Sequence, residues 1–138
     1  MIIAKENIEQ YIPHRKPFVM VDNIVTVTPD LFESNFKITP DNIFVQDGLL
    51  SESALIENMA QTCAAAFGYM QRQADEAPKI GVIAGVSDCH CTSLPSLGAL
   101  VQTRIDITMQ IGTIYVVKGH CSVENEKIFE CELKIMIP

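Results

Sequence analysis

The run SESALIENMAQTCAAAFGYMQR, residues 51–72, carries the chain's one long helical period. Leu55, Ile56, Met59, Ala60, Cys63, Ala64, Phe67 and Met70 recur at helical spacing and form one broad apolar stripe. Ser51 or Ser53 can cap the first turn, and Glu52 suits the positive end of the macrodipole. The alanine-rich middle allows close packing on whatever lies beneath. Phe67 is expected to face the core and Asn58 to lie on the opposite face. Glu57, between Ile56 and Asn58, falls at the edge of the stripe. A carboxylate there is either the rim of the stripe or a reactive group directed into a pocket.

Upstream, residues 5–11 predict a short amphipathic turn or helix stopped by Pro13, and Pro13 and Pro17 are expected to keep the chain extended between them. Residues 18–28 are β-branched and apolar, and Thr28-Pro29-Asp30 turns them into a second strand over 31–38. Residues 43–50 read as a connecting loop delivering the chain to the helix. Downstream of the helix, a polar return (71–79) leads to four β-type runs at 80–92, 100–111, 113–123 and 127–137, the last three an antiparallel meander. Within it Val101, Thr103, Ile105, Ile107 and Met109 alternate with Gln102, Arg104, Asp106 and Thr108, so one face is buried. About six strands and one long helix make an α+β architecture over 1–138, a single domain with its curved antiparallel sheet wrapped around the helix.

Composition narrows the function classes. A net charge of −7 with no basic cluster beyond His14-Arg15-Lys16 argues against nucleic acid as partner, and an acidic carrier domain would need a local basic patch. Hydrophobic content of 48% is high for a small monomer and points to oligomerisation. The N-terminus has no basic region leading into a long apolar run and no stretch has the length of a membrane span, so a cytoplasmic location is expected. Cysteines at 63, 89, 91, 121 and 131 lack a disulfide-framework spacing and are expected mostly as reduced, buried thiols. Cys89-His90-Cys91 raises zinc, but a strand sends its thiols and imidazole to opposite faces, so they are expected as three strand residues. No metal or cofactor is expected.

Three motifs, in order, carry a family resemblance: Pro13-His14-Arg15-Lys16-Pro17-Phe18 with Asp22, Ile56-Glu57-Asn58-Met59-Ala60-Gln61, and Ala84-Gly85-Val86-Ser87-Asp88. Together they resemble the hot-dog-fold β-hydroxyacyl-acyl-carrier-protein dehydratases over nearly the whole chain. The resemblance implies a dimer that joins its sheets, with each active site using a histidine from one chain and a helix carboxylate from the other. It places that carboxylate on Glu57 and the following glutamine on Gln61, as a substrate-binding residue. The family's Gly-His-Phe-Pro segment does not carry over, since Phe44-Val45-Gln46-Asp47-Gly48-Leu49-Leu50 is shorter and has no histidine. In this the chain resembles the divergent dehydratase-like proteins of aryl-polyene clusters, where such a subunit can accompany a complete dehydratase.

Dehydration needs a base at the α-carbon, an acid for the departing hydroxyl and a donor for the enolate-like oxygen. Glu57 is the expected acid, and the base must come from Asp47, His14 or a partner chain. N–H groups at Ser53 and Ala54 could reach a carbonyl at the helix N-terminus, and Phe18 is a further substrate-binding candidate. The alternative role for His14 is to brace the N-terminal segment, and that for Asp47 before Gly48 is to shape a turn. Three readings follow: a dehydratase-like enzyme acting on acyl carrier protein or coenzyme A thioesters as a homodimer or beside a complete dehydratase, a non-catalytic acyl-binding subunit, and a hot-dog thioesterase. A histidine about 4–6 Å from Glu57 across the interface would favour the first.

Overall fold

The computed structural model describes residues 1–138. A short 3₁₀ helix (Lys5–Gln10) precedes β1 (Asn23–Val27) and β2 (Leu31–Lys37). Next come a small hairpin of β3 (Val45–Gln46) and β4 (Leu49–Leu50), then helix α1 (Glu52–Gln73). Strands β5 (Val82–Cys91), β6 (Leu100–Ile111), β7 (Ile114–Val123) and β8 (Glu126–Met136) complete the chain. Six strands form one antiparallel sheet in the order β1-β2-β6-β7-β8-β5, curved around α1 in the hot-dog arrangement that the sequence predicts.

Helix α1 starts where Ser51 stops it from starting earlier. The Ser51 backbone is extended and its Oγ accepts the Ala54 N–H at 3.3 Å, which satisfies one orphan donor of the first turn. Leu55, Met59, Cys63, Ala66 and Phe67 then enter the core against Phe32, Ile105, Val117, Phe129 and Leu133. The Phe67 ring meets Phe32 edge-on at 5.2 Å and Tyr115 at 4.8 Å between centroids. Gly119 on β7 is needed for this approach, because a Cβ there would lie 2.7 Å from Ile105 and 2.8 Å from the Met59 sulfur.

The other side of the helix is covered too. Ile3, Ile8, Ile12, Val21, Ile24 and Ala65 form a second apolar cluster that fastens the N-terminal segment along α1. Being enclosed on both sides, the helix buries polar residues that an amphipathic reading assigns to solvent. Asn58 is fully buried, contrary to the expectation that it lies on the outer face. Its Nδ2 donates to Met20 O at 2.7 Å and its Oδ1 accepts the Thr103 hydroxyl at 2.6 Å. One turn on, the Thr62 hydroxyl donates to Asn58 O and lies 2.7 Å from Ser34 Oγ. A band of hydrogen-bonded polar groups thus ties the helix to β2, β6 and the N-terminal segment, each satisfied as a buried polar group must be.

Other departures from the sequence reading have local causes. The strand expected over 18–28 is confined to Asn23–Val27, because Phe18 and Met20 spend their backbone groups on helix side chains rather than on a neighbouring strand. The segment between Pro13 and Pro17 is not extended but turned, closed by Phe18 N–H to Arg15 O at 2.9 Å. The loop expected over 43–50 contains the β3–β4 hairpin. Of the cysteines, 63, 121 and 131 are buried, whereas 89 and 91 are exposed on β5. Burial pushes the Cys63 thiol up strongly and those of Cys121 and Cys131 up to about 12, so these three are held as inert thiols. Cys89-His90-Cys91 are strand residues as expected, closing β5 beyond a register shift after Ser87, where Asp88 takes φ 54°.

Candidate active site

On α1, Glu57, Ala60, Ala64, Phe67, Gly68 and Gln71 fall on one face, and the small residues Ala60, Ala64 and Gly68 leave a groove along it. Above the groove lies the N-terminal segment from Glu9 to Arg15; beside it lie Pro78 to Ile83, Ile135 and Ile137. They enclose a cavity of about 560 Å³, mostly apolar along its length, within the size range of small-molecule sites. Close approach of the N-terminal segment depends on Gly68, where a Cβ would sit 2.7 Å from Tyr11 O. Arg72 adds a second tie, stacking 4.4 Å over the Tyr11 ring and donating to Gln10 O.

Glu57 stands at the N-terminal end of this groove, and the folded-back segment brings His14 to it. His14 Nε2 lies 3.9 Å from Glu57 Oε1, with the two side chains 31% and 36% exposed. At that separation neither group is committed to a hydrogen bond with the other. His14 Nδ1 is buried and meets no polar partner. A hydrogen on Nδ1 would therefore be a buried unpaired donor, so of the two tautomers the one with its hydrogen on Nε2, towards Glu57, fits the surroundings better. Arg15, also in the lining, is engaged by Ile12 O at 2.9 Å, His14 O at 2.7 Å and the Glu9 carboxylate at 3.1 Å.

The remaining candidates from the sequence lie elsewhere. Asp47 and Gly48 have φ of 53° and 77° and form the two-residue turn of the β3–β4 hairpin, outside the cavity lining. At the helix N-terminus the Ala54 N–H is engaged by the Ser51 cap, and neither Ser53 nor Ala54 lines the cavity. Phe18 is 56% exposed and does not line the cavity. Gln61 is fully buried, its Oε1 accepting Met20 N–H at 2.6 Å and its Nε2 donating to Phe18 O at 2.9 Å, so its amide is used within the protein. The structure thus joins Glu57 and His14. It also adds lining that sequence reasoning missed, for which Ala60, Ala64 and Gly68 at i, i+4 and i+8 were the available signal.

The comparisons with known proteins agree with this architecture. The family described as ApeP-like, ApeP dehydratase, matches residues 6–138. The 3-hydroxyacyl-[acyl-carrier-protein] dehydratase FabZ of Bacillus velezensis is 30% identical over 96% of each chain, and that of Campylobacter lari is 27% identical over 94% of each. Among solved structures, the dehydratase heterocomplex ApeI:P from Xenorhabdus doucetiae superimposes with a TM-score of 0.87 at 20% identity, covering 95% of this chain and 90% of that one. With a family match spanning nearly its full length, a curved sheet around one helix, and the helix glutamate at the mouth of an apolar cavity, the chain belongs to the ApeP-like dehydratases of the hot-dog fold.

Proposed function

We propose that the protein dehydrates 3-hydroxyacyl chains presented as thioesters, with Glu57 and His14 as the acting pair. The observation that carries this is the 3.9 Å approach of His14 Nε2 to Glu57 at one end of an apolar cavity suited to an acyl chain. The FabZ relatives are named for a 3-hydroxyacyl chain on an acyl carrier protein, which makes a carrier-protein or coenzyme A thioester the substrate class to test. In the reaction the Glu57 carboxylate removes the α-hydrogen. Its electron pair becomes the new C–C double bond as the β C–O bond breaks, and the same proton passes from Glu57 to the departing hydroxyl, leaving water. The Nε2–H of His14 donates to the thioester oxygen while negative charge develops there. The division of roles differs from the expectation of Glu57 as acid alone, and it needs no third titrating group.

A paired assembly completes the site in this reading. The β1 edge of the sheet is covered by Ile3, bridged to Ile24, whereas β5 is an edge strand exposed along its length. Val82, Ile83 and Val86 stand exposed on β5, and the first two also border the cavity. Pairing β5 with a second sheet protects that edge and closes the cavity wall. The heterocomplex of the similar ApeI:P structure makes a complete dehydratase as well as a second copy a candidate partner.

The test is turnover of a 3-hydroxyacyl thioester and hydrolysis of a saturated acyl thioester by the purified protein, alone and mixed with a complete dehydratase, with mass in solution measured by sedimentation. Expected are a dimer and formation of the enoyl thioester without hydrolysis. Hydrolysis alone would assign the site to a thioesterase, and no turnover in any mixture would make the chain an acyl-binding subunit.

A further inference from the structure

Next to Glu57 in sequence, and one turn beyond it, two buried amides leave the helix in the direction of the segment that holds His14. Asn58 donates to Met20 O at 2.7 Å; Gln61 accepts from Met20 N–H at 2.6 Å and donates to Phe18 O at 2.9 Å. Three backbone atoms within three residues are thus bonded from the helical turn that carries the glutamate. The chain around this stretch is also fastened by apolar contacts, at Ile12 before His14, at Met20, whose side chain is buried in the main core, and at Val21 and Ile24 beyond it. Between Ile12 and Met20, residues 13–19 have no strand partner, and Phe18 is largely exposed.

We propose that Gln61 and Asn58 are positioning residues that clamp Phe18–Met20 and so hold His14 in register with Glu57, an inference that rests on the paired role given to those two residues above. It assigns to Gln61 a function distinct from contact with substrate. Loss of the clamp leaves the N-terminal segment attached through Ile12 and the Met20 and Val21 side chains but lets the intervening loop shift. A displacement of about 1 Å at a reacting group is enough to cost on the order of 10²-fold in rate.

The clamp is tested with Gln61→Met, which keeps a similar volume without the amide, beside Thr62→Val, which removes a hydroxyl from the same buried polar band without touching Phe18 or Met20. Expected for Gln61→Met is a fall in kcat of about tenfold to a hundredfold with KM within about twofold. Amide exchange at Met20 should accelerate while that at Ile24 stays slow, and Thr62→Val should leave both kcat and Met20 exchange unchanged. Should Gln61→Met fail to fold, Gln61→Glu retains the acceptor for Met20 N–H and should show the same pattern in part. Wild-type kcat in a folded Gln61→Met, or an equal loss in Thr62→Val, would overturn the clamp. A wild type without turnover would sink the catalytic reading instead; the exchange at Met20 would still decide whether the clamp exists.

Discussion

Glu57→Gln is expected to lower kcat on a 3-hydroxyacyl thioester by about 10²–10⁴, the range for loss of a general acid or base. The amide keeps the shape of the side chain and can still accept from His14, but it can neither take the α-proton nor return it to the hydroxyl. The fold should hardly respond. Glu57 is over a third exposed and its near polar neighbour is His14, so the substitution removes no buried bond, and such changes usually move stability by no more than about 0.5 kcal/mol. Steady-state kinetics at saturating substrate, with urea unfolding of the same preparation, check both parts. Turnover undiminished in the variant would remove Glu57 from the chemistry and leave His14 as the residue to mutate next.

The second large effect is structural. Phe67→Ala deletes a ring packed between Phe32 and Tyr115 and should destabilise by about 3–5 kcal/mol, the usual cost for a buried aromatic. Asn58→Ala should cost a similar amount, for a different reason. It strands the Met20 carbonyl in the interior and leaves the Thr103 hydroxyl only the weakly bonding Cys121 thiol at 3.4 Å; a buried polar group left unpaired costs about 1–3 kcal/mol, and the space vacated by the side chain adds to it. Seen from the sequence, Asn58 is the cheap control for Phe67. Its burial between helix and sheet reverses that expectation, so near-equal shifts in urea midpoint at the two positions now support the observed packing, and a small effect at Asn58 would contradict it.

What the sequence made legible follows from periodicity. The apolar recurrence of residues 51–72 locates α1 to within a residue at each end, and alternation from Val101 to Ile107 gives the inner face of β6. Met109 drops out of that face because a register shift after Ile107 reverses the alternation, and it is 53% exposed. Tertiary bonding was the part out of reach. Helical spacing cannot show that a second layer, the N-terminal segment, lies over the polar side of α1, so Asn58 and Gln61 read as surface or ligand-binding groups when Asn58 is bonded to Met20 and Thr103 and Gln61 to Met20 and Phe18. The same layer brings His14 to Glu57, a pairing set by the fold-back of residues 3–12 and not by any spacing in the chain. Asp47, by contrast, was readable in its humbler role, since Asp-Gly is a turn signal and both residues take left-handed backbone angles.

A double-mutant cycle on Glu57→Gln and His14→Ala tests the central claim, that these two side chains act as one site. Groups that act together lose their contribution at the first removal, so the effects do not add. The account predicts a large loss in kcat for each single variant and a double variant no worse than the poorer single one by more than a few fold. Losses that multiply, or a His14→Ala variant with wild-type turnover, would show that the 3.9 Å approach of imidazole to carboxylate is a neighbourly contact without a shared function.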